Sequence, residues 1–406
     1  MYAKPTQPVN LSSVDPRLQD ICNQSLRDQL SALIQPANDR NEQVLNQSLN
    51  SLVDNILSKN LNHDQLVELF LPAYEQLLCC YKNTELTESD KSLSYINATG
   101  VVMSVENAVN TFRDIYRVKA FIRGVHQALE AQEKKSVIHV LYPACGPFAP
   151  LLLPLISYYA KQGIGHNKIK ITLIDIQPGA TKTLQKLVEE LGIEDYIEAI
   201  VCDDVMAYTP KHKIDMLVME ALQHGFTREG HMAFARHLVP FLADDAIMLP
   251  EQINVNATLA VGQREFVDQW QEHSRAHSDF LDNRIMDERT TLGTVFTLTL
   301  DSLRKLIILP LGNGMELIEC NQVQIPRDIE NVEQKSLLLS VTAKVYDQEY
   351  IDEYDSGITH PLFDMSVCVD FIPRSPMPDD LFIKRGDHLK FYYKLSGSPG
   401  FLPTLA

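Results

Sequence analysis

The sequence predicts an α/β protein: a doubly wound, Rossmann-like parallel sheet with a helical N-terminal region and a C-terminal β-rich, barrel-like domain. Three observations predict it. Strand-like apolar runs alternate with helical patterns between residues 137 and about 249, the order of a parallel sheet with right-handed crossovers. Before residue 95 the apolar residues recur at helical spacing. After Pro250 the chain breaks into short strand-like segments divided by loops and prolines. The expected division is 1–95, 96–250 and 251–406.

In the first region Leu18, Ile21, Leu26, Leu30 and Leu33 form a helical stripe that Pro36 stops. Two more helices are expected, from about Asn41 to Leu57 and from about Asp64 to Tyr81, followed by a polar loop at 83–91. Residues 101–135 read as one or two helices, with Val118, Phe121, Ile122, Val125 and Leu129 on the apolar face. Strands are expected at 137–142, 170–175, 197–202, 214–219 and 245–249. Helices between them are expected at 149–161, 178–191 and 230–241. In the last region Ile253–Val261, Gly293–Leu300, Ser336–Tyr346, Met365–Phe371 and His388–Tyr393 read as strands of an antiparallel sheet, sandwich or barrel.

Bulk properties narrow the function classes. A chain of 406 residues with 45% hydrophobic content has the make-up of a soluble protein of two or three domains. A net charge of −17 argues against a large nucleic-acid footprint and leaves room for a basic partner. The opening residues Met1-Tyr-Ala-Lys-Pro-Thr-Gln-Pro have no signal-peptide character. The longest apolar run, Ala149–Ile156, is too short to span a bilayer and carries two prolines. A cytoplasmic protein without membrane association is expected. The seven cysteines are scattered, with no Cys-x-x-Cys pair, so reduced thiols and no metal site are expected.

The candidate pocket begins at Val137-Ile-His-Val-Leu-Tyr-Pro-Ala-Cys-Gly-Pro-Phe-Ala149, a buried strand running into a turn at Cys145 and Gly146. In an open α/β sheet ligands bind beyond the carboxyl ends of the strands, and a glycine there lets the backbone approach a ligand without a Cβ in the way. Asp175 ends the next strand, one βαβ unit later. A carboxylate in that position suits the two hydroxyls of a ribose, or it caps the helix that Pro178 opens. Asp203 and Asp204 close the third strand, where one of them could accept an adenine amine or both could simply make a turn. Asp215 before the fourth strand reads as structural. The loop lacks Gly-x-Gly-x-x-Gly for a pyrophosphate and a Lys-Ser/Thr for a triphosphate, so a cofactor without phosphates fits better.

S-adenosyl-L-methionine is such a cofactor, and this strand–turn–carboxylate order resembles the class I methyltransferases. Three further segments, in order, resemble the protein arginine methyltransferases among them. Asp114-Ile-Tyr-Arg117 is similar to the family's Asp-x-x-Arg helix, which implies that Arg117 pairs with the cofactor carboxylate. Glu220, ending Met216-Leu-Val-Met-Glu, is followed nine residues later by Glu229. The family carries two glutamates at this spacing on a hairpin-like loop, which implies that Glu220 and Glu229 clamp a cationic acceptor and orient its nitrogen. His237-Leu-Val-Pro-Phe-Leu-Ala-Asp-Asp-Ala-Ile-Met-Leu-Pro250 is similar to the family's last crossover and fifth strand, after which a β-barrel follows. The resemblance runs from about residue 105 to 300. It departs from the family pattern at Tyr142-Pro143, where an acidic residue is usual, and in the single glycine of the turn. It also departs in the Thr-His-Trp loop, taken as missing because Trp270 is the only tryptophan.

The reading is therefore a methyltransferase acting on a nucleophilic nitrogen or oxygen of a protein or a small molecule, with a protein arginine or other cationic acceptor as the form the resemblance favours. Glu220 and Glu229 are the expected catalytic residues. Arg117, Cys145, Gly146, Asp175, Asp203 and Asp204 are the expected cofactor contacts, with Tyr116 and His224 as secondary candidates. A small-molecule N- or O-methyltransferase and a non-catalytic scaffold on the same frame stay open, as does a homodimer.

Overall fold

The structure is a computed structural model that describes residues 37–273 and 276–406. The stripe expected at Leu18–Leu33 lies outside them. Two long antiparallel helices come first, α1 (Ala37–Ser58) and α2 (His63–Lys82). Asn62 starts α2 with a capping box to Gln65, which satisfies backbone N–H groups that the first turn leaves without partners. Leu45, Leu49, Leu52 and Ile56 of α1 are fully buried, each contributing about 1.5–3 kcal/mol.

Residues 101–135 are more varied than the helical reading. Val101–Val102 pairs with Tyr95–Ile96 in a small hairpin, because two β-branched residues after a glycine favour extended backbone. A short helix (Val105–Ala108) and a 3-10 turn (Val109–Arg113) follow, and then α3 (Ile115–Ala131). The expected apolar stripe of α3 is buried throughout. Gly124 brings α3 close to the β-rich half, since a Cβ there would lie 2.7 Å from Val345 Cγ1.

The central sheet has five parallel strands: β1 (Ile138–Pro143), β2 (Ile169–Asp175), β3 (Ile197–Cys202), β4 (Ile214–Val218) and β5 (Leu242–Leu249). Their order is β3-β2-β1-β4-β5, so the direction of winding reverses between β1 and β4. The crossover helices are α4 (Leu153–Gln162), α5 (Pro178–Leu191) and α6 (His231–Leu238). The helix expected from 149 starts only at Leu153: Ala149 has φ 40°, and Pro150 breaks the approach. α1 caps this layer, with Asn46 donating to Glu190 O at 3.1 Å and accepting from Ser157 Oγ at 3.1 Å.

Beyond Pro250 two antiparallel sheets form. One contains β6 (Gln252–Val261), β7 (Thr290–Thr299), β10 (Lys335–Tyr346) and β11 (Glu349–Ile351), with Leu362–Phe363 added on β10. The other contains β8 (Ile308–Pro310), β9 (Glu316–Gln324), β12 (His388–Lys394) and β13 (Gly400–Leu405). Along β12 burial alternates, with Leu389, Phe391 and Tyr393 inside, the pattern of a sheet with one solvated face. The strand expected at Met365–Phe371 shrinks to Val367–Val369 and pairs in parallel with Leu381–Ile383. The link between them carries Pro373, Pro376 and Pro378, which cannot donate to a hairpin ladder.

Candidate active site

A cavity of about 300 Å³ opens at the carboxyl ends of β1 and β4, where the sheet order reverses. The backbone that forms its floor is unusual. Ala144, Gly146 and Ala149 all have positive φ, at 49°, 67° and 40°. Gly146 relieves that strain at its own position, and nothing lies within 4 Å of where its Cβ would be. The Gly146 N–H donates to Asp175 Oδ2 at 2.8 Å, and Gln177 N–H donates to Asp175 Oδ1 at 2.9 Å. Asp175 therefore does not cap α5; Gln177 occupies the N-cap position. Burial pushes the Asp175 carboxyl up to about 6, against the pull of those two N–H groups. Cys145 lines the cavity beside it, its N–H on Ile174 O at 3.2 Å and its thiol pushed well up by burial.

Asp204 also lines the cavity, and its carboxylate accepts from Met206 N at 2.9 Å, starting a 3-10 turn. Asp203 is not among the lining residues; its carboxylate is turned onto Asp204 N at 2.8 Å. The pair does different work because the chain turns between them. Asp215 is structural, as the sequence suggested: it accepts from Lys135 Nζ at 2.6 Å and His139 N at 2.8 Å, away from the cavity.

The other end of the cavity is built from four distant segments. α3 supplies Arg117, whose Nη1 donates to Glu220 Oε2 at 2.5 Å and whose Nη2 donates to Thr111 O at 3.3 Å. Asp114, one turn earlier, lies 3.5 Å from Arg117 Nε and accepts from Ser356 Oγ at 2.6 Å and Gly357 N at 3.2 Å. Burial works against the Arg117 charge, but Glu220 and Asp114 more than offset it and raise its pKa. Glu220 is carried up by burial and held back by Arg117. At 2.5 Å the two form a charge-assisted pair.

Glu220 and Glu229 are joined by a tight hairpin. Gln223 and Thr227 bridge, Gly225 and Phe226 take positive φ, and Phe226 is buried against Phe296, Tyr393 and His231. That anchor turns Glu229 back toward Glu220. Glu229 accepts from Gln223 Nε2 at 2.8 Å, and burial together with the Glu220 charge pushes it up to about 7. His231, at the base, accepts from Ala221 N at 3.3 Å and is held neutral by burial, which drives it down to about 3.

Of the expected contacts the structure thus gathers Arg117, Cys145, Gly146, Asp175, Asp204, Glu220 and Glu229 around one cavity and leaves Asp203 outside it. His224 lines it too. Tyr116 does not: one residue before Arg117 on α3, it is rotated by about 100°, and its ring stacks on His63 and lies 4.2 Å from His277.

One segment escaped the sequence reading. The loop Ser356-Gly-Ile-Thr-His-Pro361 borders the cavity through Gly357 and Ile358 and holds Asp114. It carries Thr359-His360-Pro361. Burial lowers the His360 pKa, and Asp114 and His224 both act on it.

The 95–102 hairpin lines the cavity through Asn97, Thr99, Val101 and Val102. Gln177 Nε2 holds it by donating to Leu93 O at 2.7 Å and Met103 O at 2.9 Å. Among the described residues no group of three or more His, Cys, Asp or Glu could hold a metal ion, and no helix is long and apolar enough to cross a membrane.

Fold and site together define a pocket lined by carboxylates, an arginine and a left-handed turn at the switch point of an open parallel sheet. No known family profile matches the sequence, and no curated protein matches it. Among solved structures, the chain is similar to the Trypanosoma brucei PRMT1 enzyme–prozyme heterotetrameric complex with AdoHcy, at 14% identity and a TM-score of 0.41. The match covers 70% of this chain and 86% of that one.

Proposed function

We propose that this chain is an S-adenosyl-L-methionine-dependent methyltransferase of the class I type, acting on a nucleophilic nitrogen or oxygen of a protein or small-molecule acceptor. One observation carries the reading. The carboxylate that ends β2 and the left-handed turn that ends β1 meet at 2.8 Å in the wall of a cavity at the sheet's switch point.

The residues fit the cofactor. Each Asp175 oxygen accepts one backbone N–H and keeps capacity for a ribose hydroxyl. The space over Gly146 is open to the amino-acid end. Arg117 Nε is buried without a hydrogen-bond partner, a donor suited to a carboxylate. Asp204, which lines the same cavity, is the carboxylate proposed to accept the adenine amine. When bound, the cofactor supplies a methyl group on a sulfonium. The chain's part is to hold both reactants in line, exclude water, and place Glu220 and Glu229 beside the acceptor.

Calorimetry with S-adenosylhomocysteine tests this. Binding to the wild-type chain is expected, with a loss on the order of 100-fold in Asp175→Ala, which removes two strong acceptors. The variant should stay folded, at a cost of about 1–3 kcal/mol for the two N–H groups it strands. Absence of binding to the wild-type chain at millimolar ligand would leave a scaffold as the better reading.

A further inference from the structure

Glu229 follows a backbone that does not hold its shape unaided. Arg228, the residue before it, has φ 68°, a left-handed conformation that is unfavourable for a residue with a Cβ. Such a conformation persists only where neighbours impose it. Two segments do so here. The Arg228 N–H donates to Pro399 O at 2.8 Å, and the Arg228 carbonyl accepts from Val101 N at 2.8 Å. Gly100, beside Val101 in the 95–102 hairpin, packs on the Arg228–Glu229 peptide with no room for a side chain. A Cβ there would lie 2.5 Å from Arg228 O and 2.9 Å from Glu229 Cα, and the φ of 149° suits only glycine.

The hairpin is itself fixed at tip and root. At the tip, Asn97 Oδ1 accepts from Thr99 N at 2.9 Å, Thr99 Oγ1 at 3.0 Å and Gly100 N at 3.0 Å. Ala98 O accepts from Gly397 N at 2.8 Å, so the tip is tied to the same segment that holds Arg228 N. At the root, Gln177 Nε2 joins Leu93 O to Met103 O, while the Gln177 N–H is on Asp175 Oδ1. One frame thus runs from Asp175 to Glu229.

We infer that the 95–102 hairpin sets the place of Glu229 in the acceptor site, and that Gly100 is the positioning residue through which it does so. This deepens the methyltransferase reading and rests on it. A group that orients an acceptor nitrogen must be held to within a fraction of an ångström, and Glu229 stands on a loop. Gly100 does not itself line the cavity, so its effect on the site passes through the peptide it supports.

The test is a double-mutant cycle of Gly100→Ala and Glu229→Gln with two readouts that need no acceptor. In calorimetry, S-adenosylhomocysteine should bind Gly100→Ala within about two-fold of wild type. The second readout is stability between pH 4 and 8, from urea midpoints. Burial and the Glu220 charge push Glu229 up to about 7, against the Gln223 amide and Arg117; Asp114, His224, Asp175 and Asp204 line the same cavity. Displaced from that setting, Glu229 should lose roughly half or more of its part in the stability–pH curve. In the Glu229→Gln background, Gly100→Ala should lower the curve without changing its shape. A hairpin that is only a structural support lowers the curve in both backgrounds and leaves its shape alone; that result, or loss of S-adenosylhomocysteine binding in Gly100→Ala alone, overturns the inference. Poly-L-lysine and poly-L-arginine with S-adenosylmethionine add a kinetic readout. For whichever is methylated, Gly100→Ala should lower kcat/KM about 10-fold or more, with KM for S-adenosylmethionine within about two-fold; if neither is, the stability cycle decides. If Gly100→Ala does not fold, Asn97→Ala, which loosens the tip and adds no atoms, takes its place in the cycle. If S-adenosylhomocysteine does not bind the wild-type chain, the methyltransferase reading falls, and the stability cycle still decides whether the hairpin sets Glu229.

Discussion

In the β-rich half, Arg289 lies between Glu265 and Glu353; at the cavity, Arg117 lies between Glu220 and Asp114. The ingredients match and the finish differs. Arg289 forks onto both oxygens of Glu265, at 2.9 Å from Nε and 2.5 Å from Nη2, and reaches Glu353 through Nη1 at 2.7 Å. The Tyr354 hydroxyl donates to Glu265 and the Ser340 hydroxyl to Glu353. Glu265 is completely buried. Around Arg117 there is one short bond, a long approach to Asp114, and a buried Nε with no hydrogen-bond partner. A buried charge cluster that satisfies its own members holds loops together. One that leaves a donor unused, in the wall of a cavity, is a candidate for holding a ligand.

The comparison can be broken from either side. The largest effect is expected from Arg289→Met, which strands Glu265 in the interior. Stability should fall by about 3–5 kcal/mol in urea titrations, while the folded fraction keeps its affinity for S-adenosylhomocysteine. Arg117→Met should do the reverse. Its stability loss should be about 1–3 kcal/mol, and its affinity for S-adenosylhomocysteine should fall on the order of 10-fold or more. If the two variants exchange these outcomes, the distinction between a saturated and an unsaturated cluster is wrong.

A smaller effect sharpens the picture at Glu229. Its carboxyl moves from 4.5 to about 7 on folding, so the folded chain binds that proton more tightly than the unfolded chain. The resulting stability is fully present below pH 4.5 and is lost as pH rises through 7. It amounts to at most about 3 kcal/mol, reduced by solvent screening because the residue is partly exposed. Glu229→Gln should flatten that part of the stability–pH curve, measured by denaturation midpoints between pH 4 and 8. A curve unchanged from wild type would remove the buried-carboxyl account of Glu229.

The cavity's two ends were unequally legible before the fold was known. At the Gly146–Asp175 end the turn and the carboxylate sit within one βαβ unit, and the spacing from Gly146 to Asp175 is fixed by a strand, a helix and a strand. Local pattern therefore carried the reading. It left Asp203 and Asp204 as alternatives, since a turn of two adjacent aspartates does not announce which side chain faces in; Asp204 is the one that lines the cavity. At the other end Asp114 and Arg117 are three residues apart at the start of α3, and Glu220 and Glu229 share a hairpin. Yet the partner of Asp114 is Ser356, 242 residues away. Nothing in the spacing of residues so far apart encodes a contact.

What the sequence determined by itself follows from period and turn chemistry. The alternation after residue 137 set a parallel sheet, the α3 stripe set a buried helix, and the glycine at 146 set the turn, because each depends on neighbours a few residues away. Only the tertiary structure decided that Phe226 would pin the Glu220–Glu229 hairpin to the β-rich half, that Ser356 and Gly357 would close on Asp114, and that Arg117 would be committed to Glu220. Those are contacts between elements. They are chosen by which surfaces remain to be buried and which charges remain to be paired once every element has formed.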